Sequence, residues 1–217
     1  MKLKPFALAV AYFFAIIVVA HFFAPPGYTW RHNTISDLAS QGHVNKWIMQ
    51  AGFIGFGVSL TLGAAYYFKR QPRRYLRRYF LIMVAVYGLS IALAGIFCIA
   101  PIDPALPYSE PEANLHSLFA TVAGVGMTLG ILWQVIASSN QRDRWLRLAF
   151  FVLVSGLSGL FGLADNQMLT LDPGLIQRLL YLSGLAWLMY EERVLTTTRS
   201  ADRRPTERTS QPELRRA

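Results

Sequence analysis

The stretch PFALAVAYFFAIIVVAHFFA, residues 5–24, decides the fold class. It contains no Asp, Glu, Lys or Arg. A helix needs about 20 apolar residues to cross the hydrocarbon core of a bilayer, and this run has that length. Five more runs of the same kind follow, at about 47–68, 79–100, 113–137, 146–164 and 174–190, each bounded by charge, proline or a polar cluster. Lys2 and Lys4 precede the first run, as in a secretory leader. The run is nevertheless longer than the usual ~7–15 residues, and AHFFAPPG has no small-x-small cleavage pattern. It reads as a retained first helix.

The composition agrees. Of 217 residues, 53% are hydrophobic and only 15% are charged, where a soluble domain carries about a quarter charged. Backbone N–H and C=O groups in lipid must be bonded within their own segment, so such runs become helices. The expected fold is therefore all-α: a polytopic membrane protein with six transmembrane helices in one bundle over residues 1–192. A basic, polar tail over 193–217 is too poor in large apolar residues to fold and is expected to be disordered.

Lys and Arg set the orientation. With the N-terminus in the cytoplasm and six crossings, 18 of the 21 basic residues fall on the cytoplasmic side, leaving only Arg31, Lys46 and Arg178 outside. This is a strong positive-inside bias and places both termini in the cytoplasm of a cell membrane. The net charge of +9 is thus mainly a topology signal and does not argue for nucleic acid. KRQPRRYLRR, residues 69–78, could also attract anionic lipid heads, so membrane lipids are the expected partners. Cys98 is the sole cysteine, which excludes an intramolecular disulfide and a multi-cysteine metal site.

Small residues recur four apart: Gly55, Ser59 and Gly63; Ala120 and Gly124; Gly126 and Gly130; Ser155 and Gly159; Ser158 and Gly162. Such rows let helix backbones approach closely. Packing within the chain is the first expectation for them and a homodimer contact the second. No internal repeat points to an inverted-repeat transporter.

Polar chemistry concentrates on the outer side. RHNTISDLAS, residues 31–40, follows the first helix. APIDPALPYSEPEANLHS carries Asp103 and runs into His116. ADNQMLTLDPG precedes the sixth helix, and Arg178 lies about one turn inside it. An unpaired cation there is costly, so Arg178 is expected to pair with an acid, in one network with Asp37, Asp103 and His116. Thr34 and Asp37 also fit a capping box, which would use both structurally.

NTISDLAS after the first helix, APIDP after the third with His116 beyond it, and GLIQRLLYLSGLAWL in the sixth resemble the DUF998 family of small prokaryotic membrane proteins of unknown function. The resemblance covers about Phe6 to Glu191. Family members often have Gly where this chain has Ala39. A weaker similarity links ISD to Frag1/DRAM-type membrane proteins. The resemblance implies a six-helix body and marks Asn33, Ser36, Asp37, Asp103, His116 and Arg178, but implies no reaction.

Two function classes fit these residues. In the first, the outer face binds a lipid headgroup or small ligand through Asn33, Asp103 and Arg178, whose guanidinium suits phosphate or carboxylate. In the second, a membrane hydrolase or transferase acts on lipid, with Asp37, His116 and Ser36 as catalytic residues and His116 as the base for Ser36. A transporter is a third class, weakened by the lack of a mid-helix acid. No HxxxH or HExxH pair suggests a metal, and no cofactor is implied.

Overall fold

The computed structural model describes residues 4–70 and 75–201. Among these are six α-helices, one short 3-10 turn and no strand. They run α1 (Pro5–Phe22), the turn η1 (Ser36–Ala39), α2 (Lys46–Arg70), α3 (Tyr75–Ile96), α4 (Glu110–Ile136), α5 (Gln141–Asp165) and α6 (Pro173–Ala201). Each apolar run has become a helix. Helices α1 to α5 are long and apolar enough to cross a membrane, as in a multi-pass membrane protein. Helix α6 is longer but diluted by Gln177, Arg178, Glu191 and Glu192.

Several boundaries differ from expectation: α3, α4 and α5 begin at Tyr75, Glu110 and Gln141 rather than at 79, 113 and 146, and two helix ends differ as well. Helix α3 ends at Ile96 rather than near residue 100, because side chains from α4 take over the backbone groups freed at its end. Helix α6 continues past Tyr190 to Ala201. Residues 193–201 of the expected tail are therefore helical, and 202–217 lie outside the described residues.

Consecutive helices pack as neighbours from α1 through α6, and α6 returns to α1, closing a ring. Large aromatic side chains fill it. Phe13 of α1 stacks on Phe56 of α2 at 4.5 Å between ring centroids and meets Tyr181 of α6 at 5.5 Å. Phe80 of α3 meets Trp187 of α6 edge-on at 5.5 Å. Leu62, Leu89, Leu118, Ile136 and Val152 point outward and are exposed, as side chains facing lipid must be.

Small residues account for the closest approaches. A Cβ on Gly57 of α2 would run into the backbone of Gly88 and Ala92 on α3. Gly55 and Gly63 receive Tyr12 and Phe6 of α1, and Gly126 and Gly130 face Val86 and Met83 of α3. On α5 the glycines mark no close approach: a Cβ added at Gly156, Gly159 or Gly162 would meet nothing within 4 Å outside the helix's own backbone, and the same holds for Gly124 of α4.

The polar residues of α6 are its anchors. Glu191 is 1% exposed and pairs bidentately with Arg147 of α5, Nε to Oε1 at 2.6 Å and Nη2 to Oε2 at 2.8 Å. Gln134 Nε2 of α4 adds a bond to Oε2 at 3.2 Å, and Arg147 Nη1 donates to Ser138 Oγ at 3.1 Å. Removing one partner of such a pair strands the other and costs on the order of 3–5 kcal/mol. Glu192, 2% exposed, reaches the start of α1. Its Oε1 accepts from Phe6 N at 2.9 Å and Tyr67 OH at 2.8 Å, and its Oε2 accepts from Ala7 N at 2.9 Å. First-turn amides have no partner within their own helix, and a carboxylate there also complements the helix dipole.

Candidate functional site at the long-loop face

The loop after α1 is built onto the first turns of α6. Leu175 N donates to Arg31 O at 3.0 Å, Ile35 N donates to Gln177 Oε1 at 2.6 Å, and Arg178 Nη1 donates to Asn33 O at 2.9 Å. Gly174 permits this contact, since a Cβ there would collide with the carbonyls of Asn33 and Arg31. The sequence places Pro173 and Gly174 together at the helix start. Proline suits the first helical position, and glycine clears the space for the loop.

Among the described residues Arg178 forms no ion pair with an acid, contrary to expectation. Besides Asn33 O, Nη1 donates to Gly174 O at 2.8 Å. Nη2 faces His21 Nε2 at 3.0 Å and the Tyr28 hydroxyl at very short range. Tyr28 in turn donates to Thr34 O at 3.1 Å. Burial pushes the Tyr28 phenol up, against the opposing pull of Arg178. Its direct partners among the described residues are two backbone carbonyls, a phenol and an imidazole, and none is a carboxylate.

Beside it lies an open cleft of about 580 Å³, lined among others by His21, Tyr28, Trp30, Arg31 and His32. Arg31 and His32 converge on Asp172, which accepts from Arg31 Nη2 at 2.8 Å and faces His32 Nδ1 at 2.9 Å. The two guanidinium groups and two imidazoles of this cluster are thus accompanied by Asp172 at the mouth and by Asp37 behind Tyr28 and Thr34. Arg178 sits behind the wall, bonded to two of the lining residues.

The capping box forms as the residues imply. Asp37 Oδ2 accepts from Thr34 N at 2.7 Å, and Asp37 N donates to Thr34 Oγ1 at 3.1 Å. Burial raises the Asp37 carboxyl above its ordinary value, partly offset by the Thr34 bonds. Asn33 Oδ1 accepts from Thr29 N at 2.8 Å, so its side chain shapes the loop and its carbonyl serves Arg178. Ser36 opens the 3-10 turn and is buried.

His116 lies elsewhere, in the corner of α2, α3 and α4. It is 4% exposed, edge-on to Phe53, and its Nδ1 faces Ala94 O at 2.8 Å and Phe97 O at 3.0 Å. It thereby caps the end of α3, helped by Glu112 Oε1, which accepts from Cys98 N at 2.9 Å. Asp103 is exposed and closes a local turn, accepting from Ala105 N at 2.9 Å. Among the described hydrogen bonds, Arg178 is linked to Asp37 through Tyr28 and Thr34, while Asp103 and His116 each stand in an arrangement of their own, so the expected single network of four is formed only in part. Each polar group found a backbone partner close to itself. The link between the two long loops is instead Gln41, whose amide nitrogen donates to Cys98 O at 3.2 Å and Ser109 O at 3.0 Å and whose Oε1 accepts from Ser109 N at 2.7 Å.

Sequence reasoning missed His21 and Tyr28 at this face and Glu191 and Glu192 at the other. His21 sits at the end of an apolar run with no other polar residue at helical spacing to mark it. The adjacent acids at the end of the last apolar run, among arginines, were a signal that could have been read as buried pairing.

Fold and site together define a multi-pass helical membrane protein with a polar cap built on its first and last helices. The family model for DUF998, described as a protein of unknown function, matches residues 7–190, and the chain belongs to that family. No curated protein and no solved structure matches it.

The cap assignment is testable. Asp37→Ala should lower stability by about 1 kcal/mol, the usual cost of losing a cap, and Asp37→Asn, which keeps an acceptor oxygen, should lower it less. Thermal unfolding of the purified protein in detergent reads both. The carboxyl titrates above its unfolded value in the fold. Its stability contribution is therefore present at low pH and lost as pH rises through the folded value, and Asp37→Asn should remove that dependence.

Proposed function

We propose that this DUF998 protein sits in the cell membrane with both termini and its basic segments in the cytoplasm. Its outer cleft, in this reading, binds a phosphate-bearing group, either a lipid headgroup or a small soluble anion. The observation that carries the reading is Arg178, whose guanidinium is held directly by carbonyls, a phenol and an imidazole and, among the described residues, by no carboxylate. Arg31 and His32 add donors at the cleft mouth with only Asp172 against them. Binding is preferred to a Ser36–His116 hydrolase because His116 Nδ1 is committed to two carbonyls of α3.

The orientation rests on the basic-residue bias and is tested by labelling. Val44 is 86% exposed in the loop after α1, Ser139 is exposed between α4 and α5, and the native Cys98 is buried. In intact cells a membrane-impermeant maleimide should modify the Val44→Cys variant and spare Ser139→Cys. Labelling of Ser139→Cys from outside would reverse the topology.

Calorimetric titration of purified protein tests the site. Inorganic phosphate, glycerol phosphate and a short-chain phosphatidic acid serve as three arms that separate soluble anion from lipid. At least one should bind saturably. Arg31→Ala, a surface change, should weaken that binding about tenfold or more, the worth of one hydrogen bond to a charged group. Absence of saturable binding in every arm, or unchanged affinity in Arg31→Ala, contradicts the proposal.

A further inference from the structure

At the opposite end of the bundle, a second cleft of about 500 Å³ opens between the first turns of α5 and the last turns of α6. Its walls carry Arg142 and Arg193, with Asn140, Leu146, Tyr190 and Thr197 between them. Neither guanidinium forms an ion pair among the described residues. The one acid in the wall, Asp143, is engaged by Tyr190 OH at 2.9 Å. The neighbouring cations are already committed: Arg147 to Glu191, and Arg144 to Ser138 O at 3.2 and 2.7 Å. Two arginines are therefore set apart to face the cleft.

What lies below them distinguishes a lipid from a free anion. Helix α5 is the least buried of the five apolar helices. On it, Arg142, Leu146, Ala149, Leu153, Gly156 and Leu160 recur at intervals of three and four and so share one face. Leu146, Leu153 and Leu160 are exposed, and a Cβ at Gly156 would meet nothing within 4 Å. The stripe starts at the cleft and continues along the helix. Trp145, 59% exposed beside it, suits the boundary between headgroups and acyl chains.

We infer that this cleft is a binding site for an anionic phospholipid, with the headgroup phosphate between Arg142 and Arg193 and an acyl chain along the exposed face of α5. The inference does not depend on the cleft at the other face, whose residues belong to different segments. An arginine near an anionic headgroup contributes enough attraction for about a fivefold change in affinity.

Native mass spectrometry of the full chain, released from mild detergent after equilibration with phosphatidylglycerol or phosphatidylcholine, tests it. Wild type should retain phosphatidylglycerol in preference to phosphatidylcholine. R142Q and R193Q should each reduce that retention about fivefold, with R144Q near wild type. L153N should reduce lipid retention without changing any response to inorganic phosphate. The single variants lie at exposed positions; should one fail to fold, the other and L153N are read alone. Equal loss in R144Q would mean that diffuse charge holds the lipid. Millimolar phosphate displacing the lipid completely, or wild type showing no preference for the anionic lipid, would overturn the inference as well.

Discussion

The closure of α6 onto α1 is the constraint on which the rest of the structure depends. Lipid tails are as apolar as leucine, so helices in a bilayer gain little from hiding apolar surface against one another; close packing and interhelical hydrogen bonds hold them. Helix α6 uses both. Glu192 holds the first amides of α1, Tyr181 touches Phe13 midway, and Arg178 meets His21 in its last turn. The first and last helices are thus joined at both ends and in the middle. Glu191 fixes the other flank of α6 to α5 and α4 through Arg147 and Gln134.

This arrangement creates the long-loop cleft. The loop after α1 is folded by its own turns and caps and is fastened to the bundle by what α6 offers: a backbone amide at Leu175, an amide oxygen at Gln177 and a guanidinium at Arg178. Those donors and acceptors go to backbone groups of the loop, so Arg178 acts as a structural clamp between α6 and the chain that follows α1. The cap at Thr34 and Asp37 sets how the chain leaves this loop for η1, and Gln41 ties that segment to the loop before α4.

The helices were legible because twenty-residue apolar runs have one physical solution in lipid. The capping box was legible because Thr34 and Asp37 act on each other across three residues. The grouping of Arg178, Asp37, Asp103 and His116 was not. It was inferred from shared depth alone, and depth does not say which helices are adjacent. His116 and Asp103 found backbone partners within their own corner of the ring. The buried role of Arg147 was hidden for a related reason. On a side crowded with arginines it looked like one more topology signal, and only its pairing with Glu191 across α5 and α6 sets it apart. The polar residues of α6 beyond Arg178 join it to α1, α4 and α5, a role its apolar pattern does not announce.

The most direct test of this account is hydrogen exchange at the amides of Phe6 and Ala7 in wild type and in Glu192→Ala. Those two N–H groups are bonded to the Glu192 carboxylate and have no partner in their own helix. If closure of the ring rests on Glu192, both amides are protected in wild type and lose that protection in the variant, while α3 and α4 keep theirs. Fast exchange at both amides in wild type, or unchanged protection in Glu192→Ala, would contradict the claim that this carboxylate joins the ends of the bundle.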